Sequence, residues 1–228
     1  MKLYGAAMSG NTRRVKIYLA EKGLDNIEVV DFEGAPDVIK TSEYLAKNPA
    51  GKIPLLELDD GTFLPESAAI VEYLEEIYPD PPMIGTTPLE RAKVRSVERV
   101  VADLSVLARL YYLHMAPSFL QSLRGFAYEP KVAAAVKPTF DNNLYTIEVG
   151  MGDRPFVAGA KPTVADCHLY AILSAGVEKF NYVISADYPR LQGWYKTFSE
   201  RPSASAGNGG AGFRHPKDDP AHAPAAAS

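Results

Sequence analysis

A chain of 228 residues, 46% hydrophobic and 23% charged, has the composition of a globular protein with a large core, which excludes disorder of the whole chain. Its 24 basic and 28 acidic residues leave a net charge of −4, so no basic footprint exists for nucleic acid or an anionic membrane, and no apolar run reaches the roughly 18 residues of a membrane span. Cys167 is alone, and the histidines at 114, 168, 215 and 222 do not join it at zinc-ligand spacing, which argues against a disulfide, dithiol chemistry or a structural metal.

The first residues lack the layout of a signal peptide, so a soluble, cytoplasmic protein is expected. Residues 2–6 read as a strand that leads into a turn at 9–11. Residues 12–23 read as a helix with Val15, Leu19 and Ala20 on one face and Gly23 at its C-terminal end. A β-rich run at 27–32 and a short helix at 41–47 follow. Strands at 53–58 and 62–64 flank Asp59-Asp60-Gly61, a hairpin signal. Residues 67–77 form a helix with Ile70, Val71 and Leu74 on one side. The order βαβαββα implies a mixed sheet covered by helices.

Pro79, Pro81, Pro82, Gly85 and Pro88 make residues 80–88 a linker, and strand signals end there. Residues 89–116 hold neither Gly nor Pro. Val94, Val97, Val101, Leu104, Ala108, Tyr111 and Met115 recur at spacings of three and four, as a long amphipathic helix requires. A helical region at 131–149 contains Pro138, which should kink it or mark a fresh start. Thr163 and Asp166 form a capping-box-like start for a helix over 164–178, in which Cys167 reads as a buried structural thiol. A last helix is expected from Pro189 to Glu200. Residues 203–228 are rich in Gly, Ala, Ser and Pro, and read as a flexible or loosely docked tail. The expected domains are 1–79 (α/β), 80–88 (linker) and 89–202 (all-α), followed by that tail.

Three turns carry candidate chemistry. Ser9, with Asn11 beside it, lies where the first strand becomes the first helix, and a helix N-terminus favours an anion. Taken alone, this turn reads first as helix capping. Pro54 opens a strand, where it removes a ladder donor. A cis Ile53–Pro54 bond would leave the Ile53 backbone free to pair with an extended peptide, although a trans proline at a strand edge is the commoner form. Glu66 and Ser67 start another helix. Together they could hold an ammonium group and a carboxylate, while ordinary capping is again the plainer reading of the pair alone. Read together, the three turns suit a small zwitterionic peptide whose thiol lies at the first helix.

The segments SGNTRRVKIYLAEKGL, NPAGKIPLLELDDGTFLPESAAIVEYLEEIYP, RPFVAGAKPTVADCHLYAIL and YPRLQGWYKTFSERPS, in this order, resemble a cytosolic-type glutathione S-transferase over residues 1–202. The likeness is to bacterial serine- or asparagine-type members near the theta, zeta and nu groups. It implies a thioredoxin-like α/β domain followed by an all-α helical-bundle domain. Under this resemblance Pro54 matches the family's cis-proline and Ile53 pairs with the cysteinyl part of glutathione. Glu66 and Ser67 hold the γ-glutamyl end, and Lys52 approaches the peptide near its glycyl carboxylate. Ser9 matches the catalytic serine, and Asn11 the position where some bacterial members place an asparagine. Tyr4 lies within the strand and does not match the tyrosine-type activator.

The resemblance also implies a homodimer in which Asp103 reaches the partner's glutathione, against the plainer reading of a solvated aspartate. Tyr111, His114, Met115 and Phe119 could line a pocket for a small hydrophobic electrophile, as in detoxification, although core packing is the plainer reading of each. Glutathione is the expected cosubstrate and no metal is expected. Other readings are an ether-cleaving enzyme, a disulfide reductase suggested by Asn11, an isomerase, or a non-catalytic scaffold of the same fold. The isomerase group typically carries Ser-Cys where this chain has Gly10-Asn11.

Overall fold

β1 (Lys2–Gly5) is the inner strand from which the N-terminal sheet is built. It pairs in parallel with β2 (Glu28–Asp31) and antiparallel with β3 (Leu55–Glu57), which pairs antiparallel with β4 (Phe63–Pro65), giving the order β2-β1-β3-β4. The computed structural model describes residues 1–7, 9–32, 35–115 and 127–206. The chain divides into two units, one of Met1–Pro81 with the chain from Pro202 onward, the other of Pro82–Arg201.

In the first unit, side chains alternate across the pleat. Tyr4, Val30, Phe32, Tyr44 and Leu55 form one core cluster, capped by the 3₁₀ turn Pro36–Lys40 and by α2 (Ser42–Lys47). Leu3 and Leu56, one residue over in register, are fully buried on the other face. α1 (Gly10–Lys22) and α3 (Ser67–Ile77) pack together, with Ile70, Val71 and Leu74 of α3 buried as their spacing requires. The expected strand 53–58 is observed as Leu55–Glu57, its start delayed because Pro54 offers no N–H to the ladder; the Ile53–Pro54 bond is cis.

α1 departs from its expected single face. Thr12 through Leu19 are all buried, and Lys22 too, whereas Ala20 is exposed. Besides α3, a further helix, α8 (Pro202–Ala206), packs on α1 in the same unit. Ser203 and Ala204 are buried there, and the Ser203 hydroxyl donates to Glu21. Residues 203–206 thus form a docked helix. Residues 207–228 lie outside the described residues. At the same end of α1, Lys22 bridges Glu75 at 2.8 Å and donates to the Pro81 carbonyl, while Tyr18 donates to the same Glu75.

The second unit comprises α4 (Pro88–Met115), α5 (Pro130–Met151), α6 (Val164–Phe180) and α7 (Pro189–Ser199). α4 packs on α5 and α6. Its buried stripe runs Val94, Val101, Leu104 and Ala108, then shifts to Tyr112, Leu113 and His114, leaving Tyr111 and Met115 half-buried. α5 continues through Pro138 rather than restarting. The carbonyl that proline deprives of a donor belongs to Ala134, an exposed residue, so water can satisfy it. α6 is central, with Cys167 fully buried, and the Thr163–Asp166 capping box forms as expected. Asp166 also accepts from Val157 N and Trp194 Nε1, each at 2.9 Å. Glu148 of α5 accepts from Arg190 N and Leu191 N, which caps α7 from a neighbouring helix. No helix among the described residues is long and apolar enough to cross a membrane.

Candidate active site

Register gathers three candidate segments at one end of the sheet. Tyr4 pairs with Leu55 and Leu55 with Pro65. The chain leaving β1 towards Ser9, the Ile53–Pro54 entry to β3, and the Glu66–Ser67 exit from β4 are therefore neighbours. The turn out of β1 is tight because Gly5 has no side chain: a Cβ there would lie 2.3 Å from the Thr12 methyl.

Ser9 is the N-cap of α1, with extended backbone, and its Oγ accepts from Thr12 N at 3.3 Å. That bond uses a lone pair, so the cap leaves the hydroxyl hydrogen to donate elsewhere. Capping and anion stabilisation are thus compatible at Ser9. Asn11 lies in the first turn of α1 with its side chain exposed.

The loop before β3 is held from α2. Tyr44 Oη and Asn48 Nδ2 both donate to the Lys52 carbonyl, each at 2.7 Å, and Asn48 Oδ1 accepts from Ala50 N. Burial pushes the Tyr44 hydroxyl up to about 12, the Asn48 bond opposing, so it remains a donor through neutral pH. Lys52 is exposed, Ile53 half-buried and Pro54 buried. Tyr4 donates to Glu57, and a cavity of about 100 Å³ beside Tyr4, Phe32, Tyr44 and Lys47 contains none of the candidate site residues.

Glu66 is exposed and sits at φ 70°, ψ 116°, a conformation costly to a residue with a Cβ. The turn it makes lets Ser67 begin α3. Ser67 is buried, and Arg14 Nη1 of α1 lies 3.5 Å from its Oγ.

The remaining candidates belong to the second unit. Asp103 is exposed on α4. Tyr111 packs on Phe140, with ring centroids 5.0 Å apart, and edge-on to Tyr182. His114 is buried, and its Nδ1 accepts from Glu129 N at 3.1 Å, just ahead of α5. Both side chains therefore have packing or capping work. Met115 is the last residue of α4, and Phe119 lies outside the described residues. Among the described residues no cluster of three or more His, Cys, Asp or Glu could hold a metal.

Sequence reasoning missed Arg14, Tyr44 and Asn48. Arg14 carried no periodic signal, being a charged residue on a helix expected to show a solvated face. The Asn48 side chain lies within a quoted motif, but its partner became evident only from the fold.

Residues 3–82 match the glutathione S-transferase N-terminal domain family, and residues 107–202 match the glutathione S-transferase C-terminal domain family. The chain belongs to the glutathione S-transferase family, a family of enzymes. It is 36% identical to maleylacetoacetate isomerase of Pseudomonas aeruginosa over 84% of this chain and 88% of that protein. It is 30% identical to glutathione S-transferase 2 of Saccharomyces cerevisiae over 89% of this chain and 87% of that protein. Among solved structures, Gtt2 of Saccharomyces cerevisiae is similar with a TM-score of 0.77 at 26% identity, covering 91% of this chain and 100% of that one. The mixed four-stranded sheet and the helical second unit are the glutathione transferase fold.

Proposed function

We propose that this transferase binds glutathione across the gathered end of its sheet and activates the thiol at Ser9 for attack on a small hydrophobic electrophile. The observation that carries this reading is the hydroxyl at the α1 N-terminus, whose cap uses only a lone pair. A free thiol near pKa 8.5 is only about 3% thiolate at pH 7. A charge-assisted hydrogen bond contributes about 1.5–3 kcal/mol, or roughly one to two pKa units. The helix dipole acts in the same direction. The thiolate then forms the bond to carbon as a leaving group departs or a double bond takes up the electron pair.

The other candidates have these roles. The Ile53 backbone pairs with the cysteinyl unit, Glu66 takes the γ-glutamyl ammonium, and Ser67 with the α3 N-terminus takes its carboxylate. Lys52 approaches the glycyl carboxylate. In a cytoplasmic homodimer, Asp103 reaches the partner's glutathione. Tyr111, His114, Met115 and Phe119 are the proposed electrophile wall, although two of them already serve the second unit's core. Asn11 is the alternative activator.

The test is Ser9→Ala, with the thiol of the binary complex titrated by thiolate absorbance. Its pKa should rise by about one to two units, with turnover at pH 7 falling roughly tenfold or more. Glutathione affinity should change far less. Full activity in Ser9→Ala with loss in Asn11→Ala would move the role to Asn11. Absence of glutathione binding by the unaltered protein would end the reading.

A second reading is favoured by the name of the Pseudomonas aeruginosa relative: a glutathione-dependent cis–trans isomerase, in which the thiolate adds to a double bond and is expelled after rotation. Glutathione consumption discriminates the two, since conjugation consumes one molecule per turnover and isomerisation none.

A further inference from the structure

Arg14 has no role in the account above, yet it is one of the few charged side chains in the first unit removed almost wholly from water, at 4% exposure. Its Nη1 lies 3.5 Å from Ser67 Oγ, across 53 residues of sequence, and Ser67 is itself 7% exposed. A guanidinium only donates, and it stays charged at any ordinary pH. A serine hydroxyl has one hydrogen and two acceptor sites. Arg14 therefore occupies an acceptor site of Ser67 and leaves the hydroxyl hydrogen for another group.

The surroundings favour an anion there. Ser67 is the first residue of α3, and the first bond of that helix runs from Ile70 N to Glu66 O. The amide N–H groups of Ser67, Ala68 and Ala69 precede that bond and have no carbonyl partner within the helix. The strained Glu66 turn holds the chain so that these donors begin where β4 ends. A buried cation behind the hydroxyl, a hydroxyl hydrogen left to donate, and amides without a partner inside their helix together match a carboxylate far better than a neutral amide.

We infer that Arg14 is a positioning residue that acts through Ser67 and makes this end of the site selective for a carboxylate-bearing γ-glutamyl group. The inference rests on the reading that glutathione lies at Glu66–Ser67. It adds a buried positive charge to that discrimination, which neither residue of that pair carries. Arg14 need not touch the ligand: it fixes the donor direction of Ser67 and supplies positive potential from the buried side.

The test compares glutathione with the analogue whose glutamyl α-carboxylate is a primary amide, by calorimetric titration of the full chain. The unaltered protein should prefer the acid by about ten- to a hundredfold. Arg14→Gln should compress that ratio to within about threefold, and Arg14→Lys, which keeps the charge but not the fork, should fall between. A merely structural role would weaken both ligands alike and leave the ratio intact, and an unchanged ratio in folded Arg14→Gln overturns the inference. Should Arg14→Gln fail to fold, Arg14→Lys decides: a ratio lowered threefold or more supports the inference, and an unchanged one overturns it. Equal binding of the two ligands by the unaltered protein overturns it while leaving the glutathione reading standing. Binding of neither ends both.

Discussion

The Lys52 carbonyl offers a quantitative test of how the loop before β3 is held. It accepts from Tyr44 Oη and Asn48 Nδ2 at 2.7 Å each, one donor for each lone pair. Tyr44→Phe removes one neutral hydrogen bond, a loss of about 1 kcal/mol. Asn48→Ala removes the second donor together with the acceptor for Ala50 N, a 3.2 Å bond. Ala50 is exposed, so water can replace that acceptor, and the expected loss is about 1–2 kcal/mol. In either single variant the carbonyl keeps one donor, whereas in the double variant it keeps neither. The double loss should therefore exceed the sum of the singles by about 1 kcal/mol. Urea unfolding of the four proteins measures that coupling. The KM for glutathione should rise most in the double variant, because Ile53 follows directly on the clamped residue. Tyr44 titrates near 12, so the effect of Tyr44→Phe should be flat with pH through neutrality and fade only as pH climbs towards that value. Additive stability losses with an unchanged KM would refute the idea that the two side chains hold this loop through one carbonyl.

Three further outcomes concern stability. The Tyr112 hydroxyl, buried against Gly176 of α6, has no hydrogen-bond partner among the described residues, and burial raises its pKa well above the ordinary value. Tyr112→Phe should stabilise the protein by about 1 kcal/mol in thermal or urea unfolding. Gly176→Ala should cost about 1–3 kcal/mol despite alanine's better helix propensity, because its Cβ would lie 2.5 Å from Tyr112 Cζ. The Glu90 carboxylate accepts from the Thr86 hydroxyl and from the Thr86 and Thr87 amides, which lowers its pKa to about 2. The folded value lies below the unfolded one. Its contribution is therefore present above about pH 4.5 and lost as pH falls towards 2. Glu90→Gln should lower the urea midpoint at pH 7, and the gap should close on acidification; a gap independent of pH would rule out the charged carboxylate as its source.

Much of the fold was legible because it rests on spacing. The 67–77 helix follows from Ile70, Val71 and Leu74 recurring on one side, and the observed ends coincide with those expected. The Asp59-Asp60-Gly61 turn and the Thr163–Asp166 box are local chemistry, so they too were readable from a few residues. Failures arose where a distant element changed the environment. Ala20 lost its expected burial because α8 and α3 enclose other faces of α1. The stripe of α4 turned at Tyr112 because the aromatic rings of Phe140, Phe180 and Tyr182 meet there. At the candidate site, Ser9, Pro54 and Ser67 stood out by their places at helix and strand starts. Arg14 did not, since an arginine on a helix is ordinarily solvated and only the fold sets it beside Ser67.

The docking of α8 on α1 makes the first unit discontinuous in sequence. During synthesis its sheet and first three helices emerge early, but the helix that shields α1 arrives only after all of Pro82–Arg201 has been made. Until then, a helix nearly encircled by protein in the finished molecule keeps one flank open to solvent or to other chains. The N-terminal unit is thus completed last, its final piece coming from the far end of the chain.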